Sequence, residues 1–141
     1  MTDDLIQRED AGGIATLTLN APHSLNALSM AMIARLTAEL DRLAADRATR
    51  VVILRGAGRA FCAGHDLKEM QAARAGADKG AAFFRQLFDA CAAMMQRLPA
   101  LPQPVIAQVH GIATAAGCQL AASCDMVVAA DDARFGVNGV N

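Results

Sequence analysis

The chain has 141 residues, of which 54% are hydrophobic and 19% are charged. This composition excludes an intrinsically disordered protein, because disorder requires low hydrophobicity and a high net charge, and the length suits one domain with one core. The net charge is −1, and the 13 lysines and arginines are scattered along the chain. We therefore expect a single globular domain without the basic patch that nucleic-acid binding requires.

The cysteines and the N-terminus bear on the cellular compartment. The four cysteines form no Cys-x-x-Cys pair and have no histidine at zinc-finger spacing, so we expect reduced thiols and no metal. The first residues, Met1–Asp4, are acidic, whereas a secretory signal begins with a basic and then an apolar segment. The uncharged stretch Leu98–Cys124 contains three prolines and two glycines, which exclude a single membrane-spanning helix. These features predict a cytoplasmic protein with no membrane partner.

The first half of the chain predicts a hairpin, a helix and a buried strand. Gly13–Leu19 alternates apolar residues with threonine, as a half-buried strand does, and Leu5–Arg8 is expected to pair with it. Ser29 is a candidate N-cap for an amphipathic helix that reaches about Asp46. The apolar run Val51–Leu54 precedes a glycine-rich turn and is typical of a strand covered on both faces.

The second half continues the alternation of helices and strands. A stripe of Phe, Leu and Met residues from Phe83 to Leu98 predicts a long helix that Pro99 closes. Val105–Val109 and Met126–Ala130 are further apolar runs, and they predict two more strands of the doubly covered kind. Strands and helices that alternate at these spacings predict an α/β fold with right-handed crossovers.

The segment Gly56–Phe61 follows a strand and suggests a dinucleotide-binding turn. The sixth position of that fingerprint requires glycine for close helix packing, but it is Phe61 here, and no acidic ribose partner is evident. A nucleotide-binding α/β protein is therefore a minor alternative, and it requires phosphate binding at Gly56–Gly58.

Two other segments place small residues where a strand ends and a short helix begins. They are Phe61–Met70 and Ala113–Leu120, the latter just after the predicted strand Val105–Val109. Backbone N–H groups at helix N-termini lack intrahelical partners, and two such turns can hold one oxygen between them. Each donor of such an oxyanion pocket contributes about 2.7–4 kcal/mol in the transition state. Tight packing of small residues explains either segment alone, but their occurrence at successive strand ends favours a pocket.

These segments belong to a set of motifs that resembles the enoyl-CoA hydratase/isomerase (crotonase) superfamily. Its members typically read Pro-x-x-x-Asn-Ala-Leu, Phe-x-Ala-Gly-x-Asp-Leu, Pro-Val-Ile-Ala-x-Val-x-Gly, Cys-Asp and Ala-x-Phe-Gly. The matching residues are Pro22 with Asn26–Leu28, Phe61–Leu67, Pro104–Gly111, Cys124–Asp125 and Ala133–Gly136. More narrowly, Gly64–Glu69 together with Ala113–Gln119 resembles the branch of enoyl-CoA hydratase domain-containing protein 3 and its bacterial relatives.

The resemblance implies a crotonase-type spiral of ββα units, of which residues 1–141 form the N-terminal core portion, incomplete at the C-terminus. It implies an acyl-CoA thioester as substrate, no cofactor other than the coenzyme A of that substrate, and a homotrimer or homohexamer. The thioester oxygen would lie between the backbone N–H groups of His65 and Ala116. The backbone that contacts CoA falls on His23, Ser24, Leu25, Ala63, Asp66 and Leu67.

The acid and base positions depart from the family pattern. Hydratases of the family use two glutamates, and the corresponding positions here are Gln119 and Gly139. An amide exchanges no proton near neutral pH, so the two-glutamate mechanism has no visible acid or base, and Gln119 is left to orient water or the thioester. We expect hydratase or isomerase chemistry through a stabilised thioester enolate. The alternative is a catalytically silent acyl-CoA binder or regulatory subunit, which these two positions favour.

Three polar side chains near the motifs have structural explanations. Asp66 is expected to cap a helix over Leu67–Ala73. His110 precedes a glycine at a strand end and is expected to be a satisfied structural histidine. Asp125 follows Cys124 at a strand start and is expected to bond turn amides.

The remaining candidates lie around the proposed pocket. The imidazole of His65 has an ordinary pKa suited to proton transfer, but the resemblance implies that its main chain acts and its side chain points elsewhere. Cys62 and Cys118 flank the pocket, and we interpret them as small buried hydrophobic residues. Asn138 and Asn141 lie where the family places catalytic or lining residues, and their role is open.

Overall fold

The computed structural model describes residues 4–137 and contains a mixed five-stranded sheet, a parallel two-stranded sheet and four α-helices within that range. The strands are β1 (Ile6–Ala11), β2 (Ile14–Leu19), β3 (Val51–Gly56), β4 (Val105–Val109), β5 (Ile112–Thr114), β6 (Met126–Ala129) and β7 (Arg134–Gly136). The helices are α1 (Met30–Ala45), α2 (Leu67–Arg74), α3 (Ala81–Ala100) and α4 (Ala116–Ala122), and a 3-10 turn spans Pro22–Ser24.

The larger sheet has the strand order β1-β2-β3-β4-β6, and the smaller sheet pairs β5 with β7. Only β1 is antiparallel to its neighbour; all other pairs in the two sheets are parallel. Parallel strands need helical crossovers, which α1 supplies between β2 and β3, and α3 supplies between β3 and β4. The α/β prediction is therefore confirmed.

The predicted hairpin and first helix are confirmed. Ile6 pairs with Leu19 at the open end of the hairpin, and two glycines with positive φ, Gly12 and Gly13, close it. The Ser29 side chain accepts a hydrogen bond from the Met32 N–H at 3.0 Å, as expected of an N-cap. Local sequence rules suffice for both features, because each depends on residues that are close along the chain.

A charged cluster joins α1 to β1. The Glu39 carboxylate is almost fully buried and lies 2.6 Å from Arg35, 2.7 Å from Arg42 and 3.7 Å from Arg8. Three guanidinium groups compensate one buried carboxylate, so this cluster is a structural network between helix and hairpin. The apolar pattern of the sequence did not reveal it.

Two predictions about the second half are wrong in detail. The helix α3 continues through Pro99 to Ala100, because a proline in the last turn removes only one intrahelical bond near the end. The strand β6 was expected to be covered on both faces, but Met126, Val127 and Val128 are 57%, 43% and 56% exposed. In residues 4–137, β6 is an edge strand that pairs only with β4, and no described element covers it.

Candidate functional site

The two turns predicted to form a pocket lie side by side. Leaving β3, the chain runs next to β5: the N–H groups of Phe61 and Cys62 donate to the Ile112 oxygen at 3.0 and 3.1 Å. The Thr114 N–H in turn donates to the Cys62 oxygen at 3.1 Å. This short parallel ladder brings the end of the β3–α2 loop beside the start of α4.

Two glycines allow the turns to approach closely. A Cβ on Gly117 would overlap the Cys62 carbonyl oxygen, so the first turn of α4 can only pack there with glycine. A Cβ on Gly64 would lie 3.1 Å from the Thr114 oxygen and 3.3 Å from the Ala116 nitrogen. Tight packing is thus a correct explanation for these glycines, and the same packing brings the two turns together.

Ala115 carries backbone strain at the start of α4. Its φ of 52° and ψ of −123° lie in a region that residues with a Cβ rarely adopt, which costs about 1–3 kcal/mol. Its N–H donates to the Gly136 oxygen at 2.8 Å, so β7 holds this conformation in place. The next residue, Ala116, is the first of the helix, and its N–H therefore has no acceptor within the helix.

A cavity of about 580 Å³ opens where the two turns meet. The three predicted catalytic residues, His65, Ala116 and Gln119, all line it. The structure thus brings them together, as a shared oxygen site requires. Among residues 4–137, the lining is His65, Phe88, Cys91, Ala92, Ala115, Ala116, Cys118, Gln119, Ala122 and Val137, and most of these side chains are apolar.

The His65 side chain lies on the cavity wall, whereas we expected it to point elsewhere. Its ring packs edge-on against Phe88, another lining residue, with the ring centroids 5.7 Å apart and the planes at 72°. Nδ1 is buried and has no hydrogen-bond partner among the described residues. Burial lowers the pKa of His65, an effect that the nearby Leu28 backbone opposes only partly, so the imidazole is neutral at neutral pH.

Of the two positions that correspond to the family's glutamates, one lies on the cavity wall and the other lies outside the described residues. Gln119 is an exposed residue of α4 on the cavity wall, and it presents an amide where a carboxylate would be needed to exchange a proton. Gly139, Asn138 and Asn141 lie outside the described residues.

The predicted CoA-contacting residues lie outside the cavity lining. The Ala63 N–H donates to the Leu25 oxygen at 3.0 Å, and the Ala63 oxygen accepts from the Thr114 hydroxyl at 3.3 Å, so the Ala63 backbone is already engaged. The remaining members are His23 and Leu67, both exposed, and Ser24 and Asp66, both half-buried. The loop at Leu25 thus adjoins Ala63 beside the site, and contact of this set with CoA stays a prediction.

Asn26 belongs to one of the family motifs, and the structure shows that its role is to hold two loops together. It is fully buried, and its Oδ1 accepts from the Ala21 N–H at 2.9 Å. Its Nδ2 donates to the oxygens of Ala57 and Ala60, each at 2.9 Å. One amide therefore ties two loops together, and its burial, which only the fold reveals, explains why an asparagine is needed there.

The nucleotide-binding alternative at Gly56–Gly58 is wrong. A phosphate-binding turn must open a helix, but α2 begins only at Leu67. The carbonyl oxygens of this segment are instead held by side chains: Ala57 by Asn26, and Gly58 by His110. His110 makes its contact through Nε2 at 2.6 Å, which confirms it as a structural histidine.

Asp66 and Asp125 are structural, as expected. The Asp66 carboxylate accepts from the N–H groups of Lys68 and Glu69 at 2.9 and 3.4 Å and so caps α2. The Asp125 carboxylate accepts from the Val105 N–H at 2.7 Å. Val105 is the first residue of β4, so the bonded amide belongs to a strand and not to a turn as expected.

The cysteines match their interpretation as small hydrophobic residues only in part. Cys62 is fully buried, and burial raises the pKa of its thiol to about 11. Cys118 is half-buried and lines the cavity. Within residues 4–137, no three His, Cys, Asp or Glu side chains are grouped as metal ligands, and no helix has the length and apolar character to cross a membrane.

Comparison with known proteins identifies the family to which the chain belongs. The family model for enoyl-CoA hydratase/isomerase matches residues 9–141, and the chain belongs to this family. Within the family it falls in the branch of enoyl-CoA hydratase domain-containing protein 3, as the motifs predicted. The Xenopus laevis protein of that name is 45% identical over 129 residues, which are 92% of this chain and 42% of the relative.

Solved structures confirm the fold. An enoyl-CoA hydratase from Mycobacterium smegmatis matches with a TM-score of 0.90 and 49% identity over 97% of this chain and 52% of its own. The human enoyl-CoA hydratase domain-containing protein 3 matches with a TM-score of 0.87 and 36% identity, over 97% and 52% of the two chains. The crotonase-type architecture is thus confirmed, and the chain spans about half the length of these proteins.

The expectation of a cytoplasmic protein is wrong. The relatives from Xenopus laevis, zebrafish and rat are all named as mitochondrial proteins. The prediction rested on the acidic first residues and the reduced cysteines. Those features do not distinguish the cytoplasm from other reducing compartments.

Proposed function

We propose that this chain forms the thioester-binding core of an enzyme of the enoyl-CoA hydratase/isomerase type, a lyase or isomerase acting on fatty-acyl-CoA thioesters. The backbone N–H groups of His65 and Ala116 donate to the thioester oxygen and stabilise the enolate that forms when charge moves onto it. Coenzyme A enters as part of the substrate, and no separate cofactor takes part.

The convergence of the two turns on one cavity carries this proposal. His65 and Ala116 come from loops 51 positions apart in the chain, yet both line the same space. Preorganised N–H donors are effective in such an apolar setting, where each contributes about 2.7–4 kcal/mol to stabilisation of a developing oxyanion. The strain at Ala115 supports this assignment, because strained backbone is retained where the surrounding structure needs a particular orientation.

The composition of the cavity wall supports an apolar acyl group. Phe88, Cys91 and Ala92 on α3 line the cavity together with the two turns, and no described carboxylate or cationic side chain lies among the lining residues. A charged acyl group would be desolvated there without a partner, which is costly. The acyl chain therefore occupies the space beside α3.

A second candidate function, a catalytically silent acyl-CoA binder, is favoured by one observation. The side chain of Gln119 is an amide, and the described lining contains no carboxylate to act as acid or base. Such a protein would hold the thioester without turning it over. In the enzymatic proposal, Gln119 orients the attacking water or the thioester by hydrogen bonding.

The test is binding and turnover of crotonyl-CoA. We expect calorimetric titration to show binding, and loss of the enoyl absorbance to show hydration that is slow beside a two-glutamate relative. Gln119→Glu should raise the hydration rate, while Gln96→Glu, which adds the same charge on an exposed part of α3, should leave it unchanged. Binding without any turnover would favour the silent binder, and failure to bind any acyl-CoA would contradict both functions.

Assembly is a separate part of the proposal. Family membership supports a homotrimer or a homohexamer, in which copies of the chain pack around a threefold axis. Light scattering coupled to size-exclusion chromatography gives the mass directly, and a monomer at micromolar concentration would contradict this part alone.

A further inference from the structure

The cavity contains few side chains that can carry a proton. Of the described lining residues, only His65, Cys91 and Cys118 are titratable. Burial raises the pKa of the Cys91 thiol above its ordinary value, which keeps that group protonated at neutral pH. An imidazole ordinarily titrates near pH 6.5, so His65 is the described lining group best suited to exchange protons under physiological conditions.

The position of the ring leaves one nitrogen for a ligand. Nδ1 is buried and has no hydrogen-bond partner of ordinary geometry among residues 4–137. Phe88 fixes the ring by an edge-on contact at 5.7 Å between centroids. Because Nδ1 is buried, Nε2 is the ring nitrogen left for a bound molecule in the cavity that His65 lines.

We infer that the His65 imidazole, through Nε2, moves the proton at carbon α of the bound acyl thioester. The inference rests on the proposed function, in which the backbone N–H of the same residue holds the thioester oxygen. Carbon α is two bonds from that oxygen. A residue whose main chain holds the oxygen and whose side chain lines the same cavity can therefore address both atoms of the developing enolate.

The step balances without any further reactant. The Nε2 lone pair takes the proton from carbon α, and the electron pair of the broken C–H bond forms the carbon–carbon double bond of the enolate. The carbonyl π pair moves onto the thioester oxygen. Return of a proton from the imidazolium to carbon α restores the thioester and the neutral imidazole, so deuterium from solvent enters carbon α when the imidazolium exchanges with D₂O.

The setting of the ring suits a base. Because burial lowers the pKa of His65, the neutral form with a free lone pair is the main species at neutral pH. Cys91 on α3 and Cys118 on α4 are the other titratable groups of the described lining. On the loop of His65 itself, the neighbouring Asp66 carboxylate is turned to the N-terminus of α2, where it accepts from Lys68 and Glu69.

The test is deuterium incorporation into butyryl-CoA in D₂O, followed by proton NMR, with binding measured separately by calorimetry. We expect the 141-residue chain to catalyse exchange at carbon α, and His65→Gln to lower the rate about 10²–10⁴-fold while butyryl-CoA affinity changes less than about threefold. His110→Gln is the matched control, because that imidazole bonds Gly58, does not line the cavity, and should leave the exchange rate unchanged. Circular dichroism verifies that both variants are folded.

Two further measurements separate proton transfer from a structural role. Added imidazole should restore exchange in His65→Ala, and the wild-type rate should rise with pH through a midpoint below about 6.5, a step that is missing in His65→Gln. If the wild type binds butyryl-CoA but exchanges no deuterium, or if His65→Gln exchanges as fast as the wild type, the inference is overturned and the binding proposal stands. If the wild type binds no acyl-CoA, the proposed function and this inference both fail.

Discussion

The β3–α2 loop and the β5–α4 turn lie side by side at the cavity, but they hold their backbones in different ways. The β3–α2 loop bends at Gly64, where a φ of 99° costs glycine little. The Asp66 carboxylate caps the helix that follows this loop. The β5–α4 turn bends at Ala115, where a positive φ is strained, and no side chain caps the helix that follows it. The first turn is thus stabilised locally, whereas the second depends on contacts made by distant parts of the chain.

Two contacts hold the strained turn. The Ala115 N–H donates to the Gly136 oxygen at 2.8 Å, and Gly117 packs directly against the Cys62 carbonyl. Both come from segments far along the chain, so the orientation of the Ala116 N–H is a property of the folded core. Substitutions in the two turns should therefore change the free energy of unfolding by different amounts and even in opposite directions.

The largest effect is expected from Gly117→Ala. The added Cβ would overlap the Cys62 carbonyl oxygen, which is backbone and moves only with the whole loop. Overpacking of this kind costs about 1–3 kcal/mol, more than the roughly 1 kcal/mol that alanine gains over glycine in a helix. We expect the free energy of unfolding in urea to fall, and the affinity for crotonyl-CoA to fall at least tenfold because the two N–H donors separate.

The matched control is Gly76→Ala between α2 and α3. Gly76 is exposed and its φ is not positive, and the nearest atom to an added Cβ is the Ala73 oxygen at 3.2 Å. Its unfolding free energy should change by less than about 0.5 kcal/mol, with binding unaltered. Equal affinities for the Gly117 variant and the wild type would show that close approach of α4 to the loop is not what forms the site.

Elements governed by neighbours in sequence were predictable, and elements governed by distant partners were not. The N-caps at Ser29 and Asp66 follow from rules that span three or four residues, and both are present. The exposure of β6 could not be deduced, because an apolar run shows that a strand can be buried and not whether anything covers it. Buried Glu39 was missed for the same reason, since its arginine partners include Arg8 of another element.

The site was predictable in composition but not in geometry. Small residues at two successive strand ends indicated a pocket, the family resemblance assigned His65 and Ala116 to it, and both residues line the cavity. The orientation of the His65 ring depends on Phe88, which lies 23 positions away on α3, and no local pattern reports that contact. Ala115 carried no signal, because alanine is seldom selected for a positive φ and only the fold reveals the strain.

A smaller effect is expected from Asp66→Ala in the locally stabilised turn. The carboxylate accepts from two N–H groups at the start of α2, and loss of such a cap costs about 1 kcal/mol. Glu69 still anchors the helix by accepting from the Met30 N–H at 3.0 Å, so α2 should remain folded. Urea unfolding should show this loss for Asp66→Ala and little change for Asp66→Asn, whose amide oxygen can still cap; equal losses in both would implicate charge instead.

An effect of opposite sign is expected from Ala115→Gly. Glycine adopts a φ of 52° and a ψ of −123° without the strain of about 1–3 kcal/mol, but it adds about 0.4–1 kcal/mol of unfolded-chain entropy to be lost on folding. The difference between these ranges is a stabilisation of about 0 to 2.6 kcal/mol in urea unfolding. Crotonyl-CoA binding should weaken, because a freer backbone holds the Ala116 N–H less firmly. Ala122→Gly in the same helix lacks the strain and should destabilise the protein instead. If Ala115→Gly also destabilised it, the conformation at Ala115 would not be strained, and the contrast between the two turns would reduce to their caps.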